Sequence, residues 1–481
     1  MNIVDAIKKY DADKIVFLGL FAVTLLLARF IVTWRSAIVL SVPIELKYGG
    51  LSASIPTENG WKSEKQWEYY KNAFALSSFF DAGSGNMTAS VRCRYILLPT
   101  TASVKALFDE KTSAIGGMIA QTGQIPIEGM SSGFAKSPEG AGVFLIDWIY
   151  IKKPERFLDM FFGVAQLPNG RRLDIEVYQE GYDDDLAERV FRDVAESIRL
   201  KDNPVFDAGC KVIGEIKNKG LAPPAGEAGL GGFSPLLFAE EAQKGGNFFL
   251  MKDARGRSVG FTMDVTIAAS GLQQDGDAKG VEAASFDYIR SPFNREQATV
   301  FEGQNNLDEF TWKSEAGGIG GRSGAEMVLD KTGVMAVRKF GRIVEEASYH
   351  ISPAAIPTIF DALAFSQIID SNYEEILVDI IDADGTILPL LICKVERDDS
   401  AVERLFGKEP AREEVVYILK AELLDGRGFY DKVFLDERGR ILKRLLKREA
   451  EYVFERSDAE TIQREFPERS DYILQRNEML R

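Results

Sequence analysis

The sequence predicts an α+β protein in three parts: an N-terminal transmembrane helix, an α/β/α antiparallel-sheet domain, and a curled antiparallel β-meander with one or two packed helices. Three observations lead there. An apolar run, IVFLGLFAVTLLLARFIVTW, fills residues 15–34 with Arg29 as its single charge. Two stretches of strand-like alternation, residues 44–200 and 246–470, flank a Gly- and Pro-rich segment at 201–245. Five Asp-x-x-Gly turns punctuate the second stretch.

The apolar run is taken first. At 1.5 Å rise per residue, a helix of this length spans about 30 Å, the thickness of a bilayer core. It has no polar stripe, which a buried core helix of a globular domain would show. A cleavable signal peptide has an apolar core of roughly 7–15 residues and a small-residue cleavage site. Here the run is longer and ends in Thr33-Trp34-Arg35. Trp34 suits the membrane interface, and Arg29 is near enough to that end to snorkel. Residues 15–34 are therefore read as an uncleaved signal anchor. Lys8, Lys9 and Lys14 precede the span, whereas Arg29 and Arg35 lie at its far end. This bias puts the tail, residues 1–14, in the cytoplasm and the body outside it, in the periplasm of a bacterium. The expected location is the inner membrane.

The first body region spans residues 44–200. Leu51-Ser-Ala-Ser-Ile-Pro56 alternates and then breaks at Gly60-Trp61, as a strand entering a turn does. Trp67 to Leu76 reads as either helix or strand. Val91, Cys93, Tyr95 and Leu97 alternate with Arg92 and Arg94, marking a half-buried strand. Thr101–Ile119 has helical spacing, and residues 116–142 read as a long loop. Strands are expected at Val143–Ile151, Phe157–Leu167 and Arg172–Gln179, the last two joined by a Pro168-Asn169-Gly170 turn. A helix over Asp184–Ile198 closes the region, with Leu186, Val190, Phe191, Val194 and Ile198 on one face.

This region resembles the PsbP-like family of small α/β/α domains. The resemblance rests on the opening Leu51–Pro56 with Gly60-Trp61, and on the closing Val190-Phe-Arg-Asp-Val-Ala-Glu-Ser197-Ile198. It covers about a third of the chain. It implies a role in binding or assembly and no active site.

Residues 201–245 carry Pro204, Pro223, Pro224 and Pro235 with Gly226, Gly229, Gly231 and Gly232, and are read as an interdomain linker. Beyond it, Val259, Phe261, Met263, Val265 and Ile267 alternate with small or polar residues, the mark of a strand with one buried face. The turns Asp253–Gly256, Asp330–Gly333, Asp382–Gly385, Asp425–Gly428 and Asp436–Gly439 space a meander of about eight to ten strands. Ser352-Pro353 reads as the start of a helix reaching Phe365, with Pro357 in its first turn. Ser457-Asp-Ala-Glu460 reads as a capping box for a short final helix, before a charged tail at 471–481. Ile376–Val378 and Ile387–Ile392 are apolar on both faces and so need cover on both. The meander, its turns and the Ser352–Phe365 helix resemble the LolA-like lipoprotein-carrier fold in architecture. That resemblance implies an apolar ligand under the helix.

Composition removes several chemistries. The net charge is −15, which argues against nucleic acid and against docking on anionic lipid through a basic patch. His350 is the single histidine, so multi-histidine metal sites are excluded. Cys93, Cys210 and Cys393 form no zinc pattern and allow at most one disulfide. Gly129-Met-Ser131-Ser-Gly133 matches the G-x-S-x-G elbow of serine hydrolases, but no strand-to-helix context surrounds it and the only base is His350, in another region. Asp382-Ala-Asp384-Gly385 lacks the carboxylates of a calcium loop. Gly229-Leu-Gly231-Gly232 lacks the strand and helix of a phosphate cradle.

No catalytic, cofactor-binding or metal-ligating residue is nominated. The expected function is that of a membrane-anchored, extracytoplasmic binding or assembly protein, without catalysis, recognising a partner protein or a lipid-like ligand. The alternative is an extracytoplasmic hydrolase using two carboxylates on a cleft. A pocket with paired carboxylates would favour the hydrolase; an apolar concave sheet face would favour the binder.

Overall fold

The computed structural model describes residues 17–27, 38–46, 48–70, 73–81, 88–97, 106, 113, 127–136, 143–152, 157–167, 171–181, 186–219, 247–269, 280–290, 294–304, 306–318, 321–424, 427–437, 439–448 and 450–469. Its class is α+β, with strands dominating.

Residues 17–27 are helical, and their Phe, Leu and Val side chains are exposed. The remainder of the expected span, 15–16 and 28–34, lies outside the described residues. Among the described residues, no helix is long and apolar enough to cross a membrane.

The first body region holds an eight-stranded antiparallel sheet. Ala73–Asp81 and Thr88–Ile96 pair as neighbours. The chain then runs as a meander through Ile127–Lys136, Val143–Lys152, Phe157–Gln166 and Arg172–Gly181. The last of these returns to pair with Thr88–Ile96. The helix Leu186–Ser197 lies against this sheet. Its Leu186, Val190, Phe191 and Val194 join Val91, Cys93, Ile175 and Val177 in one buried cluster. The 3.6-residue spacing put those four on one stripe. The expected loop at 116–142 is corrected: Ile127–Lys136 is a strand, paired along its length with Val143–Lys152. Gly and Ser lowered its apparent strand content, and pairing with a strongly apolar neighbour overrides that weak propensity. The expected helix at Thr101–Ile119 lies outside the described residues apart from 106 and 113.

The expected linker at 201–245 is also corrected. Residues 204–219 form a helix, Pro204–Lys219, while 220–246 lie outside the described residues. Pro204 stands at the first helical position, where its missing N–H costs nothing. The Asn203 side chain accepts from the Phe206 N–H at 3.2 Å and caps the helix. Ala208, Val212, Ile213 and Ile216 are buried in the core of the second region. Gly209 rests directly on the Leu377 carbonyl, an approach that a Cβ would block.

The second body region is one fifteen-stranded sheet, larger than the eight to ten strands expected. From Asn247–Asp253 to Glu345–His350, eight strands pair each with the next. Ala355–Pro357 then pairs in parallel with Glu375–Ile381, and five more strands follow in succession to Glu451–Ser457. The last strand pairs with the first, Phe248 opposite Ser457. The two edge strands, Glu345–His350 and Ala355–Pro357, are joined by only residues 351–354, so the sheet curls until its edges almost meet. Its inside is filled by the Pro204–Lys219 and Asp361–Asp370 helices. Phe301, Trp312 and Met327 from one half and Ile380, Ile392 and Leu419 from the other share one buried cluster with them.

The glycines that end these turns behave as expected. Gly256, Gly333, Gly385, Gly428 and Gly439 all have φ between +67° and +77°. In four of them, the Gly N–H donates to the Asp carbonyl at 2.8–3.1 Å. The expected helix start at Ser352-Pro353 is corrected to Asp361. Pro357 ends a short strand, and the buried Ser352 hydroxyl donates to Asp379 at 2.6 Å instead of capping. The final helix, Ala459–Glu465, is capped by Asp458, one residue later than expected, through Thr461 N–H at 2.7 Å.

Candidate functional site: a cavity inside the curled sheet

Curling leaves a cavity of about 600 Å³ between the sheet and the start of the Asp361–Asp370 helix. That size falls within the range of small-molecule sites, about 300–1,000 Å³. Strand alternation decides what faces it. On Arg295–Gln304, Arg295, Gln297 and Thr299 line the cavity, while Val300 points away and is 41% exposed. Ser285 lies opposite Thr299, Asp287 opposite Gln297, and Thr262 opposite Asp287. A polar band therefore crosses three strands on the concave face. Phe249, Met251, Leu446, Phe454, Ile359 and Leu363 form an apolar part of the wall.

Three carboxylates line the cavity, and each stands above the usual range. Burial is the main cause for Asp287; the Thr262 hydroxyl, donating at 2.6 Å, and Arg295 offset part of it, and the charge of Asp382 adds to it. Burial likewise raises Asp382, against the Ala383 N–H and the charges of Arg295 and Lys339. Asp361 is raised by burial and partly restored by Arg444. Arg444 binds Asp361 at 2.9 Å and Asp431 at 2.8 Å, and Arg448 binds Asp431 at 2.9 Å. These pairs keep Arg444 protonated despite its burial.

Two residues of the wall carry polar atoms, sealed from solvent, that lack such partners. Trp312 Nε1 and Thr299 Oγ1 are buried, and among the described residues neither meets a hydrogen-bond partner. Their side chains are 1% and 4% exposed and both line the cavity. Thr299 pairs with Ser314 and Phe301 with Trp312, so Thr299 and Trp312 are diagonal neighbours on one face.

The other motifs fall elsewhere. Gly129–Gly133 lies within the strand Ile127–Lys136, with no strand-to-helix turn. His350 is exposed at the end of Glu345–His350, an edge strand of the fifteen-stranded sheet, and is not among the residues lining the cavity. Asp382–Gly385 is a hairpin turn, as expected, yet Asp382 and Ala383 also reach the cavity. Among the described residues, no three His, Cys, Asp or Glu side chains gather to hold a metal ion. Sequence reading nominated none of the cavity residues. The signal was present in Arg295-Glu-Gln-Ala-Thr299-Val300, an alternation whose inward set is polar.

No family model matches the chain, and no curated protein does. Among solved structures, a β-barrel-like protein of the unknown-function family DUF1849 from Brucella abortus is similar at 8% identity and a TM-score of 0.31, covering 44% of this chain and 96% of its own. A DUF1089 family protein from Pseudomonas aeruginosa is similar at 12% identity and a TM-score of 0.21, covering 37% of this chain and 87% of its own. Neither likeness carries a functional argument.

Proposed function

We propose that this chain is a single-pass, membrane-anchored binding protein with an extracytoplasmic body, and that its curled sheet holds a lipid-like small molecule. The observation that carries the binding reading is the cavity, whose wall is part apolar and part polar. An amphipathic molecule matches such a wall, because each portion of it meets surface of its own kind. The anchor reading rests on the apolar run at 15–34 and on the lysines before it. The resemblance to lipoprotein carriers points the same way, and the PsbP-like resemblance of residues 44–200 suits an assembly partner.

Native mass spectrometry of the full chain, released from membranes, tests this reading. Wild type is expected to carry a discrete extra mass that extracts into organic solvent. The variant Gln297→Trp, which fills the cavity, is expected to lose it. Equal apo masses for both would overturn the proposal.

A second reading has one observation in its favour. Asp287 and Asp382 share the cavity and interact electrostatically, as the acids of a carboxylate-dependent hydrolase would. Turnover of a glycoside substrate, abolished by both Asp287→Asn and Asp382→Asn, would replace the binding reading with this one.

A further inference from the structure

The strands Val334–Phe340 and Glu345–His350 form a hairpin at the edge of the fifteen-stranded sheet, and residues 340–344 are its tip. Every residue from Phe340 to Ser348 is exposed. Phe340, Ile343 and Val344 are 40%, 73% and 55% exposed. Outside residues 17–27, eight large apolar side chains are exposed among the described residues, and three of them sit in this tip. Exposed apolar residues scattered singly need no explanation; a cluster on a projecting tip marks a contact surface. The Phe340 ring lies over the backbone at Gly324, where an added Cβ would strike it, so its own sheet holds the tip in place.

Charge narrows the partner. The chain carries −15 overall, yet cations gather here. Gly341 packs beside Ser323 and the Arg322 carbonyl, which brings Arg322 next to Arg342. Arg338 is taken by Glu346 at 3.4 Å. Lys339 stands opposite Glu345 and also faces the charge of Asp382. Arg322 and Arg342 make no ion pair among the described residues and are exposed at the tip itself. Cations beside an apolar tip suit a bilayer interface: the apolar side chains enter the acyl boundary while the guanidinium groups stay among the head groups. A protein partner fits less well, because three side chains on one narrow tip fall short of the about 800 Å² that each side of a standard interface buries. The bilayer is also near. On the anchor reading, on which this inference rests, the apolar run ends at Trp34 and the described body begins at residue 38, a reach of about 14 Å.

We infer that residues 340–344 dip into the surface of an anionic bilayer, with Phe340, Ile343 and Val344 in the acyl boundary and Arg322 and Arg342 on lipid phosphates. Glu296 lies opposite Gly317, and Gly317 opposite Arg322, so the tip shares one end of the sheet with Arg295 of the cavity wall. A docked tip turns that end of the wall towards the membrane.

Depth-dependent quenching of the full chain in vesicles tests this. A fluorescent amino acid replaces Leu25 in the apolar run, Ile343 in the tip, or Thr332 in the turn at the other end of the same strand. The vesicles contain phosphatidylcholine with or without phosphatidylglycerol, and a nitroxide on the acyl chain. With phosphatidylglycerol, quenching is expected at 25 and 343 and not at 332. Arg322→Gln and Arg342→Gln should each lower the ratio of docked to free tip about fivefold. Quenching at 25 without quenching at 343, or equal quenching at 332 and 343, would overturn the docking. Quenching at 343 that ignores both phosphatidylglycerol and the two arginines would overturn the anionic partner. Shielding of 343 that rises with protein density, without quenching, would assign the tip to a second copy of the chain. Absence of quenching at 25 would overturn the anchor reading itself.

Discussion

Arg171, immediately before the strand Arg172–Gly181 of the first sheet, pairs through its guanidinium with Asp379, within the strand Glu375–Ile381 of the second. Both side chains are at most 2% exposed. Arg171 also donates from Nε to the Leu97 carbonyl at 2.8 Å, and Asp379 accepts from Ser352. The two sheets are thus joined through a buried charge pair whose members are both further satisfied by neighbours. Removing one partner leaves an unpaired buried charge, which costs about 3–5 kcal/mol. Arg171→Met and Asp379→Leu are each expected to lower stability by that amount. The double variant should recover most of the loss. Urea denaturation of the full chain in detergent checks this; additive losses would refute it.

The contact between Gly209 and the Leu377 carbonyl gives a paired test. Gly209→Ala forces the Pro204–Lys219 helix off the sheet and should cost at least about 1–3 kcal/mol. Gly214, in the same helix, has nothing within 4 Å of the point where an added methyl group would sit. Gly214→Ala should therefore stabilise by about 0.5–1 kcal/mol. Opposite signs in thermal melting are the expected result.

Asp287 makes stability depend on pH. Burial raises its folded value above the ordinary 3.8, so the folded state binds a proton more tightly than the unfolded chain. Its contribution is fully present below 3.8 and is lost as pH rises through the raised value. Asp287→Asn should match wild type at pH 3 and exceed it at pH 7. Denaturation midpoints across that range measure the divergence; parallel curves would contradict it.

Thiol reactivity follows burial. Cys93 is pushed up to about 12 by desolvation alone, and Cys210 up to about 11 by desolvation with the charges of Asp207 and Asp379. Both should alkylate at least about a hundredfold more slowly at pH 8 in the folded protein than in denaturant. Mass spectrometry of iodoacetamide-treated chain reads each site.

Much of the fold was legible because local rules governed it. The Leu186–Ser197 helix advertised its buried stripe, and the Asp-x-x-Gly turns fixed their own geometry through positive-φ glycines. What stayed hidden depended on distant partners. Ser352 looks like a helix cap until Asp379 arrives, from another strand, to take its hydroxyl. Ile127–Lys136 looks like a loop until Val143–Lys152 pairs with it. The site was obscured for a related reason. Thr299 is buried and Val300 exposed, the reverse of the usual alternation, and only the curl of the whole sheet says which face is concave.

The pairing of Phe248 with Ser457 joins the first and last strands of the large sheet. A chain emerging from its N-terminus therefore holds one side of this seam unpaired until nearly the whole region has been made. That pairing is a long-range contact, of the kind whose loop-closure entropy must be met before the contact rewards it. Phe454 and Arg456, on the closing strand, also belong to the cavity wall. The cavity is thus complete only once the closing strand is in place. A nascent chain stalled before residue 451 therefore lacks that part of the wall.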